Sequence, residues 1–194
     1  MSRQRTLKPK LATEAWVRRG LLDFFVAFEL ENLLNFRLFC LHQGVEKFCK
    51  AYLIASQSHQ YEHLNADEAG KWIDGFTKNL GHDLHSLLGF VAVGLDTLEG
   101  YVKDTAFIDL LNIGYEEGRY PKPIAKSIWS KHGFPALASD RTDKKAFALG
   151  ALLFEGIDRR FKATVPLETP IYDRISRETW ERFVRIWELR KRHS

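Results

Sequence analysis

The sequence predicts an all-α protein whose helices pack as a bundle along apolar seams. Three observations predict it. Apolar residues recur at alternating steps of three and four over long stretches. No stretch shows apolar–polar alternation around an Asn-Gly or Asp-Gly turn, which would mark a hairpin. The strongest breakers, Gly81, the run "RYPKP" and the run "TVPLETP", fall between the periodic segments. With 194 residues, 45% apolar and 28% charged, the chain has the length and composition of one folded domain with a sizeable core.

The first periodic segment begins near Thr13, an N-cap candidate followed by Glu14, and runs to about Ser56 with a break near Asn35. Leu34, Leu38, Leu41, Val45, Phe48 and Tyr52 form its seam and cluster within about 80° at helical pitch. A polar stretch, "SQSHQYEHLNADE", precedes a short helix over residues 66–79 with Trp72 and Phe76 as its apolar contacts. Gly81 ends it. A long helix is predicted from His82 or Asp83 through Leu84, Leu87, Leu88, Val91, Leu95 and Leu98. "TAFIDLLNIGYEEG" is the next, stopped by the prolines of "RYPKP". Ser139 and Asp140 cap a helix with Phe147, Leu149, Leu152, Leu153 and Ile157 as its seam. After the "TVPLETP" linker, a last helix from Tyr172 to Arg190 carries Trp180, Phe183, Val184 and Trp187 on one face and arginines on the other.

The net charge of +4 is unevenly spread. Arg3, Arg5, Lys8 and Lys10 occupy the N-terminal ten residues without an acid, and residues 174–194 carry seven basic residues against Glu178, Glu181 and Glu188. Basic ends of this kind contact phosphates or are simply solvated. No apolar run is long enough to span a bilayer, and the basic N-terminus leads into no uncharged core of a signal peptide. Cys40 and Cys49 lie about 13 Å apart along one helix, too far for a disulfide, so they read as reduced thiols of a cytoplasmic protein.

"HQGVEKFCKAYL" carries Gln43, Gly44, Glu46, Lys47, Lys50 and Ala51. "GHDLHSLL" carries His82, Leu84, Leu87 and Leu88, and "YEEGRYP" carries Tyr115, Arg119, Tyr120 and Pro121. Together with Trp16 and Asp23, these residues resemble, in order and distance, the motifs of HEPN domains (higher eukaryotes and prokaryotes nucleotide-binding). The resemblance covers about residues 12–163, leaving 164–194 as a linker and a basic amphipathic helix. It implies an up-and-down four-helix bundle of HEPN type, here with a short inserted helix and an extra C-terminal helix, as a homodimer with a link to nucleotides or RNA. It also implies either a nucleotidyltransferase partner or a place in toxin–antitoxin or defence systems.

HEPN ribonucleases carry an arginine followed, after four to six residues, by a histidine in the last bundle helix. Residues 139–163 hold Arg141, Arg159 and Arg160 but no histidine. Arg119 and His132 are separated by twelve residues and two prolines. The formal match, Arg37 to His42 in "RLFCLH", sits in the first helix, where i and i+5 point about 140° apart. Arg37, His42 and Arg119 are therefore weak catalytic candidates, and no standard HEPN ribonuclease activity is expected. A divergent metal-independent ribonuclease and a purely structural interaction protein are the alternatives.

Glu46, Lys47, Lys50, Tyr115, Arg119 and Tyr120 are the nucleotide- or RNA-binding candidates. Glu46 and Lys50, at i and i+4, suit an intrahelical ion pair. Alternatively Glu46 pairs with Arg119 and lines a pocket, with Tyr115 and Tyr120 stacking on a base. His82 is read as a helix cap. The pairs His59/His63 and His82/His85 lack a third ligand, so no metal is expected. No phosphate loop, dinucleotide fingerprint or nucleophile elbow is present, and no cofactor is expected.

Overall fold

The computed structural model describes residues 8–30, 34–119, 140–163, 165–168 and 170–191, with the side chains of 34, 35, 119, 140, 141, 190 and 191 outside that description. Among the described residues the regular structure is entirely helical: α1 Pro9–Glu29, α2 Leu34–Ser56, α3 Ala66–Asn79, α4 Leu84–Ala92, α5 Glu99–Val102, α6 Thr105–Arg119, α7 Asp140–Phe161 and α8 Arg177–Lys191. Two short 3₁₀ turns, Ser58–Gln60 and Asp96–Leu98, complete it. None of these helices is long and apolar enough to cross a membrane.

The anticipated first helix is two. α1 starts at Pro9, whose fixed φ suits the first helical position, and ends at Glu29. Thr13 is not its cap. It lies one turn inside, and its hydroxyl donates to the Pro9 carbonyl at 3.0 Å. α2 then runs back along α1: Gly20 lies against Phe48, Phe24 against Gly44, and Lys47 pairs with Asp23. α2 is the central helix, touching α1, α4, α6 and α7. α7 runs parallel to it, since Arg37 meets Asp143, Phe48 meets Phe154 and Tyr52 meets Arg160 in the same order.

Phe24 sits where α1, α2, α7 and α8 converge. Its ring packs on Phe48, Phe147 and Trp187 at centroid distances of 5.4, 5.4 and 5.2 Å. It also fills the space that side chains would take at two glycines. A Cβ on Gly44 would lie 2.6 Å from the ring, and one on Gly150 2.4 Å. The three helices therefore approach closely enough for one aromatic ring to touch both facing backbones.

α3 has the predicted bounds. Asn65 and Glu68 form a reciprocal capping box at its start, and Gly81 follows with φ +69°. Trp72 stacks on Phe76 at 4.9 Å and on Tyr61 at 5.2 Å. Tyr61, inside the "polar" stretch, is completely buried with Ala12, Ile54, Ala69 and Ile73.

The long helix expected after Gly81 is broken. α4 stops at Ala92, where the Gly94 amide turns to the Val91 carbonyl at 3.0 Å, and the Gly94 carbonyl beyond it is taken by the Tyr52 hydroxyl at 2.7 Å and by Arg160 at 2.7 Å. Glycine offers little helix propensity to oppose that capture. The cap of α4 is Asp83, whose carboxylate accepts from the amides of His85 and Ser86, and not His82.

α8 begins at Arg177, later than expected, capped by the Ser176 hydroxyl, which accepts from the Thr179 amide at 3.2 Å. It docks on its own chain. Trp180, Phe183 and Trp187 are buried in the main core against Phe24, Phe25, Phe28 and Phe147, and the Trp180 indole donates to the Leu167 carbonyl at 2.9 Å. The segment 164–194 is thus continuous with the core as far as it is described. Ser139, the anticipated cap of α7, lies outside the described residues.

Overpacking at the glycine cradle is expected to cost about 1–3 kcal/mol. Gly150→Ala should lower the unfolding free energy measured in urea by that amount without loss of helical circular dichroism, and Phe24→Leu in the same chain should recover part of it. Unchanged stability in Gly150→Ala would mean that the close approach is absent in solution.

Candidate functional site

α2 is buried along most of its length, yet its middle carries Glu46 and Lys50, each 3% exposed. An unpaired charge there would be costly, so the local chemistry is a neutralisation problem. The Lys50 ammonium donates to Glu46 Oε1 at 2.8 Å, one turn along the same helix. The Gln43 amide donates to Oε2 at 3.0 Å. His82, from the turn after α3, donates from Nδ1 at 3.0 Å to Oε1 and 3.1 Å to Oε2. Burial works against the Glu46 charge, but the hydrogen bonds and charge of Lys50, with His82, outweigh it and hold the carboxyl below its ordinary 4.5.

Beside this cluster, Lys47 pairs with Asp23 of α1. Burial raises the Asp23 carboxyl above its ordinary value even against the attraction of Lys47. Both Lys47 and Asp23 are roughly four-fifths covered, with side-chain exposures of 19% and 21%.

His42 is fully buried. Its Nε2 lies 3.1 Å from the His82 carbonyl. A carbonyl only accepts, so Nε2 carries the ring proton. Nδ1 has no hydrogen bond and sits 3.8 Å from Glu46. Burial drives the His42 pKa down to about 4, more than Glu46 can offset. Tyr115 from α6 stacks on His42 at 4.6 Å, on His82 at 5.2 Å and on Phe39 at 5.9 Å. His82 is thus a bridge: its ring reaches Glu46, and its carbonyl accepts a hydrogen bond from His42 Nε2.

Arg37 turns toward α7, where Nη2 meets Asp143 Oδ2 at 2.7 Å. The two halves of the formal Arg–His match therefore serve different elements. Of the binding candidates, Glu46, Lys47, Lys50 and Tyr115 do come together, with His42 and His82. Tyr120 and the side chain of Arg119 lie outside the described residues, and so does the anticipated Glu46–Arg119 pair. What the structure does show is three donors on Glu46, all from Gln43, Lys50 and His82.

Cys40 and Cys49 are free and buried. Burial, with the charge of Asp23, pushes the Cys40 thiol up to about 11, and burial also raises Cys49. Neither has the thiolate character of a nucleophile. Among the described residues, no three His, Cys, Asp or Glu side chains converge as metal ligands.

A second polar contact, at the C-terminal end of α2, was not anticipated. Arg160 Nη1 donates to the Tyr52 hydroxyl at 2.8 Å and to the Gly94 carbonyl at 2.7 Å. Its only sequence signal was an arginine in the last turn of a helix, which usually marks a dipole-compensating charge.

Comparison of the chain with protein-family models, with curated proteins and with solved structures found no match.

The buried histidine makes stability depend on pH. The folded chain leaves His42 neutral down to about pH 4, whereas an unfolded histidine binds a proton near its ordinary 6.5. Stability is therefore lost as pH falls through that window, by about 2 kcal/mol between pH 7 and pH 5. Glu46 adds to the loss only below 4.5, where the unfolded chain protonates first. Urea unfolding of the wild type and of His42→Gln at the two pH values checks this. The variant should show the flatter dependence, and equal slopes would refute a neutral buried His42.

Proposed function

We propose that the chain is a non-catalytic HEPN-like helical bundle that acts as a dimeric binding or regulatory module, engaging the phosphates of an RNA or nucleotide and working alongside a nucleotidyltransferase partner. One observation carries the non-catalytic part. His42 is fully buried, with its protonated nitrogen on a backbone carbonyl, so it has no path to a 2′-hydroxyl. Arg37 is held by Asp143 on another helix, away from any phosphorane that His42 would serve. The polar residues of "HQGVEKFCK" have partners within the chain: Lys50 and Gln43 on Glu46, Lys47 on Asp23 and His42 on the His82 carbonyl.

The phosphate-binding part rests on the resemblance and on the basic ends. Arg174, Arg182 and Arg185 are exposed on and before α8, and Arg18 and Arg19 are exposed on α1, the helix against which α8 packs. Arg182 ties the two helices through Glu29 at 2.8 Å. Cationic side chains on neighbouring elements suit a sequence-independent contact with a polyanion.

The test has two arms. Incubated with a mixed RNA pool and EDTA, the purified protein is expected to leave the RNA intact. Cleavage lost in Arg37→Ala or Arg119→Ala would overturn the reading and name the catalytic arginine. In fluorescence anisotropy with a labelled single-stranded RNA, binding should weaken with salt. Replacing Arg174 and Arg185 by glutamine should reduce the slope of log K against log salt by roughly 1.4, about 0.7 per lost contact to a single strand. Light scattering at micromolar concentration should return the dimer mass.

A further inference from the structure

The C-terminal turns of α2, the end of α3, the end of α4 and the last turn of α7 surround a cleft of about 480 Å³. That is within the range of roughly 300–1,000 Å³ typical of small-molecule sites. Its wall is apolar, built from Leu53, Phe76, Leu80, Phe90 and Val93. Phe90 is 55% and Val93 86% exposed, so the cleft presents large hydrophobic side chains directly to solvent. One charged side chain lines it, Arg160, and no acidic one does.

Arg160 is held in place. Nη1 is fixed by the Tyr52 hydroxyl and the Gly94 carbonyl, and the guanidinium lies 5.7 Å from the centroids of the Tyr52 and Phe161 rings. A side chain at Gly94 would crowd this arrangement, since a Cβ there would lie 2.6 Å from both Nη1 and the Tyr52 oxygen. Nη2 and Nε make no hydrogen bond or ion pair within the described chain. The cleft therefore combines an apolar wall with one oriented, uncompensated cation.

We propose that this cleft binds a small amphipathic carboxylate, with its hydrocarbon body on Phe76, Phe90 and Val93 and its carboxylate on the free edge of the Arg160 guanidinium. A monoanion matches the single positive charge. A phosphate dianion would find no second cation in the lining. The planar fork of the guanidinium is suited to a carboxylate. The site is separate from the Glu46 cluster and from the arginines of α8, and does not depend on the RNA-binding reading.

The test is isothermal titration of the full chain with decanoate, decanol and decylamine. The wild type should bind decanoate saturably at one site, decanol at least roughly tenfold more weakly, the scale of one charge-assisted hydrogen bond, and decylamine not at all. R160Q should bind decanoate no better than decanol. V93D, at a position too exposed to disturb folding, should lose decanoate binding by placing a like charge in the lining, with circular dichroism unchanged. Equal affinity of the wild type for decanoate and decanol would overturn the proposal, as would absence of saturable binding. So would a dimer that V93D dissociates while decanoate has no effect, because a second copy of the chain would then be the occupant.

Discussion

A single buried carboxylate sets the terms for the middle of this molecule. α2 is covered on most sides by α1, α4, α6 and α7, and Glu46 lies in the covered stretch. Such a charge survives only where donors surround it. Lys50 and Gln43 come from the same helix, but His82 comes from the turn between α3 and α4. The carboxylate thereby fixes where that turn sits. Once His82 is fixed, its carbonyl receives His42, and Tyr115 from α6 stacks over both rings. A local electrostatic requirement thus places two separate elements, the α3–α4 turn and α6, around one helix.

The two ends of the polar system work differently. Around Glu46 each charge has a counter-charge or a hydrogen bond from the chain itself, which is the signature of a structural network. At the C-terminal end of α2, Arg160 is oriented by neutral oxygens, a phenol and a peptide carbonyl. Neutral acceptors hold a guanidinium in position without cancelling its charge. That contrast separates a closed network from a cation still able to act on something else.

Periodicity revealed the parts that obey local rules. α3 was legible to the residue because its start is a capping box and its end a glycine in the left-handed region. The seam of α2 was legible because burial on one face repeats at helical spacing, and Leu38, Leu41, Val45, Phe48 and Tyr52 are all buried. Events decided by distant residues were not legible. The segment just after α4 is held by Tyr52 and Arg160, 42 and 66 positions away in the chain, which both donate to the Gly94 carbonyl. His82 looked like a cap because it stands at a helix start, whereas its partner lies on α2. Arg37 and His42 matched a spacing, but their directions were set by Asp143 and by the His82 carbonyl. The burial of Tyr61 within a polar run had no periodic signal at all.

The aromatic face of α8 bears on how the chain comes to be folded. Trp187 is the last of the rings in contact with Phe24, and Phe24 is also the ring that occupies the hollows at Gly44 and Gly150. Residues 24 and 187 stand near opposite ends of the described chain. During synthesis, α1, α2 and α7 will have left the ribosome while their shared aromatic surface still faces solvent. The core closes only when α8 emerges. A nascent chain of this protein therefore carries an exposed hydrophobic surface until α8 has been made, which is the kind of surface that chaperones bind.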